Sequence, residues 1–164
     1  MFGIRGLDAF GMIHVGFGCA AIGLGALVAL TTKGTARHKF MGRAYVAAMV
    51  MLNATALLIY DLSGRFGPFH VASVVSLATI AAGLLSVLTR RPRAGWAQLH
   101  GTFMCWSYVG LIAAFLSEIA VRIPGVGFGP AVITATIVVT VGGAVLIHTR
   151  IPRILHTGVG KRTV

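Results

Sequence analysis

The chain has 164 residues, 57% of them hydrophobic and only 10% charged, with 14 lysines and arginines against three acids for a formal charge of +11. A soluble domain carries roughly 25% charged residues, so this chain has too little charge to face water over a whole surface, and lipid is the expected solvent for most of it. The positive balance does not point to nucleic acid. The basic residues fall in short clusters between apolar runs, where a nucleic-acid protein gathers them on one folded face.

Five apolar stretches follow one another at 9–32, 40–60, 67–89, 95–121 and 128–148. Each has about the 20 residues that a helix needs to cross a hydrocarbon core of about 30 Å. Backbone groups in lipid must be bonded within the segment, so helices are predicted throughout. The fold class is therefore all-α: an integral membrane bundle of five transmembrane helices in a single domain, a four-helix core plus one peripheral helix.

In chain order, the first stretch is expected to be a retained helix rather than a signal peptide. It is long for a signal's apolar region, no strongly basic segment precedes it, and "TTKGTARHK" follows it in place of a small-residue cleavage site. Next, "KGTARHKFMGR" (33–43) sets Lys33, Arg37, Lys39 and Arg43 around His38. Thr35 can cap a helix that begins ahead of the apolar run, so the second helix is predicted over 36–60. "SGRFGPF" (63–69) breaks the chain, and its Pro68 suits the first position of a third helix over 68–89. Pro92 sits in the next loop, the fourth helix is predicted over 95–121, and "RIPGVGFGP" (122–130) separates it from the fifth, over 128–148.

The loops set an orientation. Lys33, Arg37, Lys39, Arg43, Arg90, Arg91, Arg93, Arg150, Arg153, Lys161 and Arg162 share one side; Arg5, Arg65 and Arg122 share the other. The positive-inside rule puts the N-terminus outside and the C-terminus in the cytoplasm. Cys19 and Cys105 lie within the first and fourth helices, with neither a CxxC nor a CxxCH motif, so a disulfide framework is not expected. Trp96 and Tyr60 read as interface anchors, and Asn53, midway along the second helix, as a hydrogen-bonding group between helices.

The histidines carry the functional reading. His14, His38, His70 and His100 each stand near the start of one of the first four helices; His148 and His156 lie beside Arg150 and Arg153 at the cytoplasmic surface and read as solvated. Because helices alternate direction, His14 and His70 share the outer leaflet and His38 and His100 the inner one. Strongly polar groups inside a bilayer are costly and usually face a site. Two histidines per leaflet suit two haems b, one per leaflet, stacked in the bundle and ligated axially by neutral imidazole.

Gly18 follows His14 by four residues and Gly42 follows His38 by four. Positions four apart share a helix face, so each glycine either clears space for a porphyrin or allows close helix packing. Arg43, with Arg37 and Lys39, either meets a haem propionate or serves topology alone. Glu118 is the one acid within the hydrocarbon zone; Asp8 and Asp61 lie nearer the outer surface. It is a candidate catalytic proton acceptor, or an ion-pair partner of Arg122 four residues on. With His14 and His70 it could instead hold zinc or another transition metal, since catalytic zinc keeps three protein ligands and an open position.

At "KGTARHKFMGR", "FGPFH" and "WSYVGLIAAFLSE" the chain resembles a bacterial family of predicted membrane proteins of unknown function. The matching residues are Lys33, Gly34, His38, Gly42, Arg43, His70, His100, Met104, Trp106, Ser107, Tyr108 and Glu118. The resemblance spans nearly the whole chain and implies the bacterial cytoplasmic membrane, but no chemistry. A looser similarity, resting on histidine placement over the first four helices, is to transmembrane di-haem cytochromes b.

Three functions follow as expectations. The first is a di-haem b-type cytochrome taking electrons from a quinol or another small reductant, since the chain lacks a dinucleotide-binding unit: "GLGAL" (23–27) lies mid-helix. The second is a metal-dependent membrane enzyme at the outer face, a reading that leaves His38 and His100 unexplained. The third is a non-catalytic assembly or transport protein whose histidines bond between helices. Besides the lipid bilayer, the expected partners are a quinone or small redox molecule and a second copy in a homodimer.

Overall fold

A computed structural model of the protein describes residues 9–60 and 64–159, with the helical backbone alone from 150 onward. It contains five helices: α1 (Ala9–Leu30), α2 (Ala36–Leu58), α3 (Pro68–Thr89), α4 (Trp96–Ala120) and α5 (Phe128–Val159). All five are long and apolar enough to cross a membrane, and the described residues include no strand. The apolar span within α5 is Phe128–Thr149, yet the helix continues to Val159. Hydropathy marks where a helix leaves lipid rather than where its backbone bonds stop, which is why the sequence reading ended at 148.

Helix boundaries follow local chemistry. Thr35 Oγ1 accepts the N–H of His38 at 3.2 Å and donates to the Thr32 carbonyl at 2.9 Å, so it caps α2. Lys33 Nζ donates to the carbonyls of Val28 and Ala29 at 2.9 and 2.8 Å, closing the last turn of α1 with positive charge where the helix dipole favours it. Pro68 opens α3, where its missing N–H is no loss. Between α3 and α4 the backbone enters the left-handed region twice, at Arg90 (φ 51°) and Gly95 (φ 100°), with a cis Arg91–Pro92 peptide between them.

The chain divides into two compact units, one ending at Leu77 and the other beginning at Ala78. In the first, α1 packs along α2, burying Ala21, Gly25, Tyr45, Ala48 and Met49. Asn53, also buried, donates from Nδ2 to Ser76 Oγ of α3 at 3.1 Å and to the Met49 carbonyl at 2.7 Å. This is the bond between helices expected of it.

In the second unit α4 packs along α5, and Ile80, Ser86, Ser107, Leu111, Ala113, Ser117 and Ala131 are buried. A Cβ on Gly143 of α5 would come within 2.5 Å of Val109 on α4, so only glycine lets these backbones approach. Small and hydroxylated residues dominate both interiors, as expected where lipid competes equally for large apolar side chains. The large ones face outward instead: Leu30, Leu88 and Phe40 are 85%, 78% and 74% exposed. Water would not tolerate so much apolar surface.

Candidate functional site

The first unit holds three of the four helix-start histidines. His14, half-buried on α1, places Nδ1 3.0 Å from Thr55 Oγ1 on α2. The threonine hydroxyl also lies 2.9 and 2.8 Å from the carbonyls of Met51 and Leu52. With its single proton on one of these carbonyls, the hydroxyl would accept from His14 Nδ1–H, and the ring would carry its lone pair on Nε2.

His70 holds the opposite tautomer. The backbone N–H of Gly67, which can only donate, bonds to His70 Nδ1 at 3.2 Å, while the backbone N–H of His70 returns a bond to the Gly67 carbonyl at 3.0 Å. A neutral His70 therefore carries its proton on Nε2. The residue is 4% exposed, and Nε2 is buried with no hydrogen-bond partner among the described residues. Leaving such a donor unsatisfied costs about 1–3 kcal/mol. Tyr60 and Phe66 flank the ring, with centroids 4.5 and 5.0 Å away in tilted arrangements.

His38 is half-buried at the capped start of α2, with Arg37 and Lys39 exposed on either side. One turn on, a Cβ at Gly42 would meet nothing within 4 Å, so open space adjoins this face of the helix. A Cβ at Gly18 would make ordinary contact with Leu52 at 3.6 Å. Neither glycine is forced by packing. Arg43 is exposed.

In the second unit, His100 of α4 places Nδ1 2.8 Å from the carbonyl oxygen of Gly83 on α3. A carbonyl only accepts, so Nδ1 carries the proton and Nε2 the lone pair. Metal-ligating histidines usually show this arrangement, the far ring N–H donated to a carbonyl or carboxylate. Glu118, near the other end of α4, pairs with Arg122 at 2.7 Å, and the guanidinium also bonds the Glu118 carbonyl. Their side chains are 36% and 57% exposed. Of the three roles open to Glu118 in the sequence, the ion pair is formed.

His14 and His70 thus belong to the first unit and Glu118 to the second. Among the described residues, no three histidine, cysteine or acidic side chains come together as a metal site. Neither Cys19 nor Cys105 forms a disulfide, and both are exposed on apolar helices. Asp8 and Asp61 lie outside the described residues, as do Arg5, Lys161 and Arg162, and so do the side chains of Arg150, Arg153 and His156. His148 is exposed.

Sequence reasoning missed the partners of these histidines. Thr55 left a signal, being a hydroxyl within an apolar span, where it must bond to something. Gly83 left none, because its contribution is a backbone carbonyl.

A set of helices that bury small residues, turn large apolar ones outward and hold their polar groups in bonds between helices defines an integral membrane protein. The family model described as "Predicted membrane protein (DUF2306)" matches residues 11–155, and the chain belongs to that family. No curated protein and no solved structure matches the chain.

Proposed function

We propose that this membrane protein is a b-type cytochrome of the bacterial cytoplasmic membrane, its N-terminus outside, holding two haems. His14 and His70 would serve the outer haem, and His38 and His100 the inner one. The observation that carries the reading is the shared state of His14 and His100. Each gives its Nδ1–H to an oxygen on a neighbouring helix, which leaves Nε2 as the electron-pair donor.

The fit is uneven. His14 and His100 have the ligand tautomer. His70 would need to shift its proton from Nε2 to Nδ1 and release Gly67, in return for which its buried Nε2 would gain a partner. Gly42 leaves room beside His38. Arg43, exposed and five residues further along α2, would meet a propionate at the membrane edge.

A histidine-ligated haem supplies one-electron transfer, and a quinol or another small reductant is the donor in this reading. The protein's own part would be to fix the rings of His14 and His100 through Thr55 and Gly83 and to hold their Nε2 unprotonated. The test is an absorption spectrum of the purified chain from haem-sufficient cells, oxidised and dithionite-reduced. A Soret band with reduced-state bands removed by His100→Ala supports the reading. Colourless protein that takes up no added haem overturns it.

A further inference from the structure

We propose that the turn joining α3 to α4 is a binding site for a phosphate group, carried by an anionic lipid or free in solution. An open recess of about 440 Å³ lies there, lined by Thr89, Arg90, Arg91, Arg93 and Trp96. Three guanidinium groups within four residues repel one another, yet none makes a hydrogen bond or ion pair with another described residue. From Ala78 onward the sole acid is Glu118. It stands 22 residues beyond Trp96 on the same helix, about 33 Å away, and is already paired with Arg122. The charge gathered at this turn has no counter-ion in its own unit.

The backbone adds to the same field. Gly95, the N-cap of the 25-residue α4, offers no side chain to the first-turn N–H groups, so the positive end of a long helix dipole stands uncapped at the recess. Arg90 holds a left-handed backbone that a non-glycine residue adopts only under strain. The ligand this chemistry selects is phosphate, because guanidinium forks bind its oxygens in pairs and helix N-terminal N–H groups take the remainder. Trp96 lines the recess, and tryptophan prefers the membrane interface, so a lipid phosphate would lie level with the three arginines.

The experiment uses the full chain in phosphatidylcholine nanodiscs, with Trp106→Phe leaving Trp96 as the reporter indole. Phosphatidylglycerol brominated on its chains should quench Trp96 at a mole fraction roughly tenfold or more below that of brominated phosphatidylcholine. Changing Arg90, Arg91 and Arg93 together to Gln should remove the preference. Changing Lys33, Arg37 and Lys39 to Gln, an equal loss of charge in another loop, should leave it.

Replacing the three arginines by Lys should weaken it several-fold, since an ammonium lacks the fork. Inorganic phosphate that relieves the quenching shows that free phosphate shares the site; phosphate without effect assigns the site to lipid. A preference that survives the triple Gln change, falls equally in the other loop, or is unaltered by Lys would overturn the proposal. If either the triple variant or Trp106→Phe fails to fold, phosphatidylglycerol retained by Arg93→Gln and by the unaltered chain in native mass spectrometry gives the same comparison. Equal retention counts against the site.

Discussion

His100 Nδ1 donates to the carbonyl of Gly83 across 2.8 Å, at a point where α3 presents backbone rather than side chain to α4. Ser86 Oγ also donates to this carbonyl, at 2.8 Å. The glycine makes the approach possible. A Cβ there would lie 2.5 Å from Met104 Cε and 3.2 Å from Phe103 Cβ, both on α4.

Gly83→Ala should therefore destabilise the protein even though alanine is the better helix former. Met104 Cε ends a flexible side chain and can move, but Phe103 Cβ cannot move without its helix, so a loss of about 1 kcal/mol is expected. At Gly101 on α4 a Cβ meets nothing within 4 Å, and alanine there should gain about 0.5–1 kcal/mol. Opposite shifts in the thermal midpoint of the detergent-solubilised chain are the expected result; shifts of the same sign would mean that α3 and α4 do not approach at Gly83.

The bond between His14 and Thr55 gives a second test. Thr55→Val keeps the shape and removes the acceptor of Nδ1–H, whereas Thr55→Ser keeps the hydroxyl. If His14 ligates haem, valine should lower haem retention by about 10–100-fold, the usual effect of losing a ligand's hydrogen-bond partner. Serine should restore most of it. Retention titrated by the reduced-minus-oxidised spectrum reads the difference.

The two levels of the structure were unequally legible in the sequence. Five spans could be read because an apolar run of about 20 residues has one stable form in lipid. The α2 cap at Thr35 was legible because capping is local chemistry, with donor and acceptor three residues apart. The histidine tautomers were not. They depend on Thr55, 41 residues from His14, and on the Gly83 carbonyl, 17 residues from His100. Sequence pattern carries no information about which nitrogen meets which oxygen. His70 is the sharper case: placed beside His14 by the same reasoning, it takes the other tautomer because a helix-start N–H reaches its ring first.

Asn53 should contribute to stability in proportion to a bond between helices inside an apolar unit. Asn53→Leu removes its donation to Ser76 and leaves an apolar side chain of similar size. A loss of about 0.6–2 kcal/mol is expected, measured by unfolding in detergent against Ser76→Ala. If the two changes combined cost no less than their sum, the residues are not coupled and the bond carries no energy.

The orientation of the chain has a direct assay. Eleven of the fourteen basic residues fall on the side that includes the C-terminus, so a fluorescent protein fused after Val164 should fluoresce and a fused alkaline phosphatase should stay inactive. Phosphatase activity there would reverse the orientation and, with it, the assignment of His14 and His70 to the outer leaflet.

His70 separates a structural histidine from one that awaits a bound group. His70→Phe keeps a flat ring between Tyr60 and Phe66, removes the buried Nε2–H, and deprives the Gly67 N–H of its acceptor. Relief of one unsatisfied donor and creation of another nearly cancel, so in protein stripped of any ligand the stability should change by less than about 1 kcal/mol. Protein purified with haem should lose far more, because a ligand that binds only the folded state adds its binding free energy to folding. If His14 and His70 serve one haem, the same substitution should remove the spectral component that His14→Ala removes and spare the one that depends on His100. Equal stability losses with and without bound haem, and an unaltered spectrum, would assign His70 to helix capping alone.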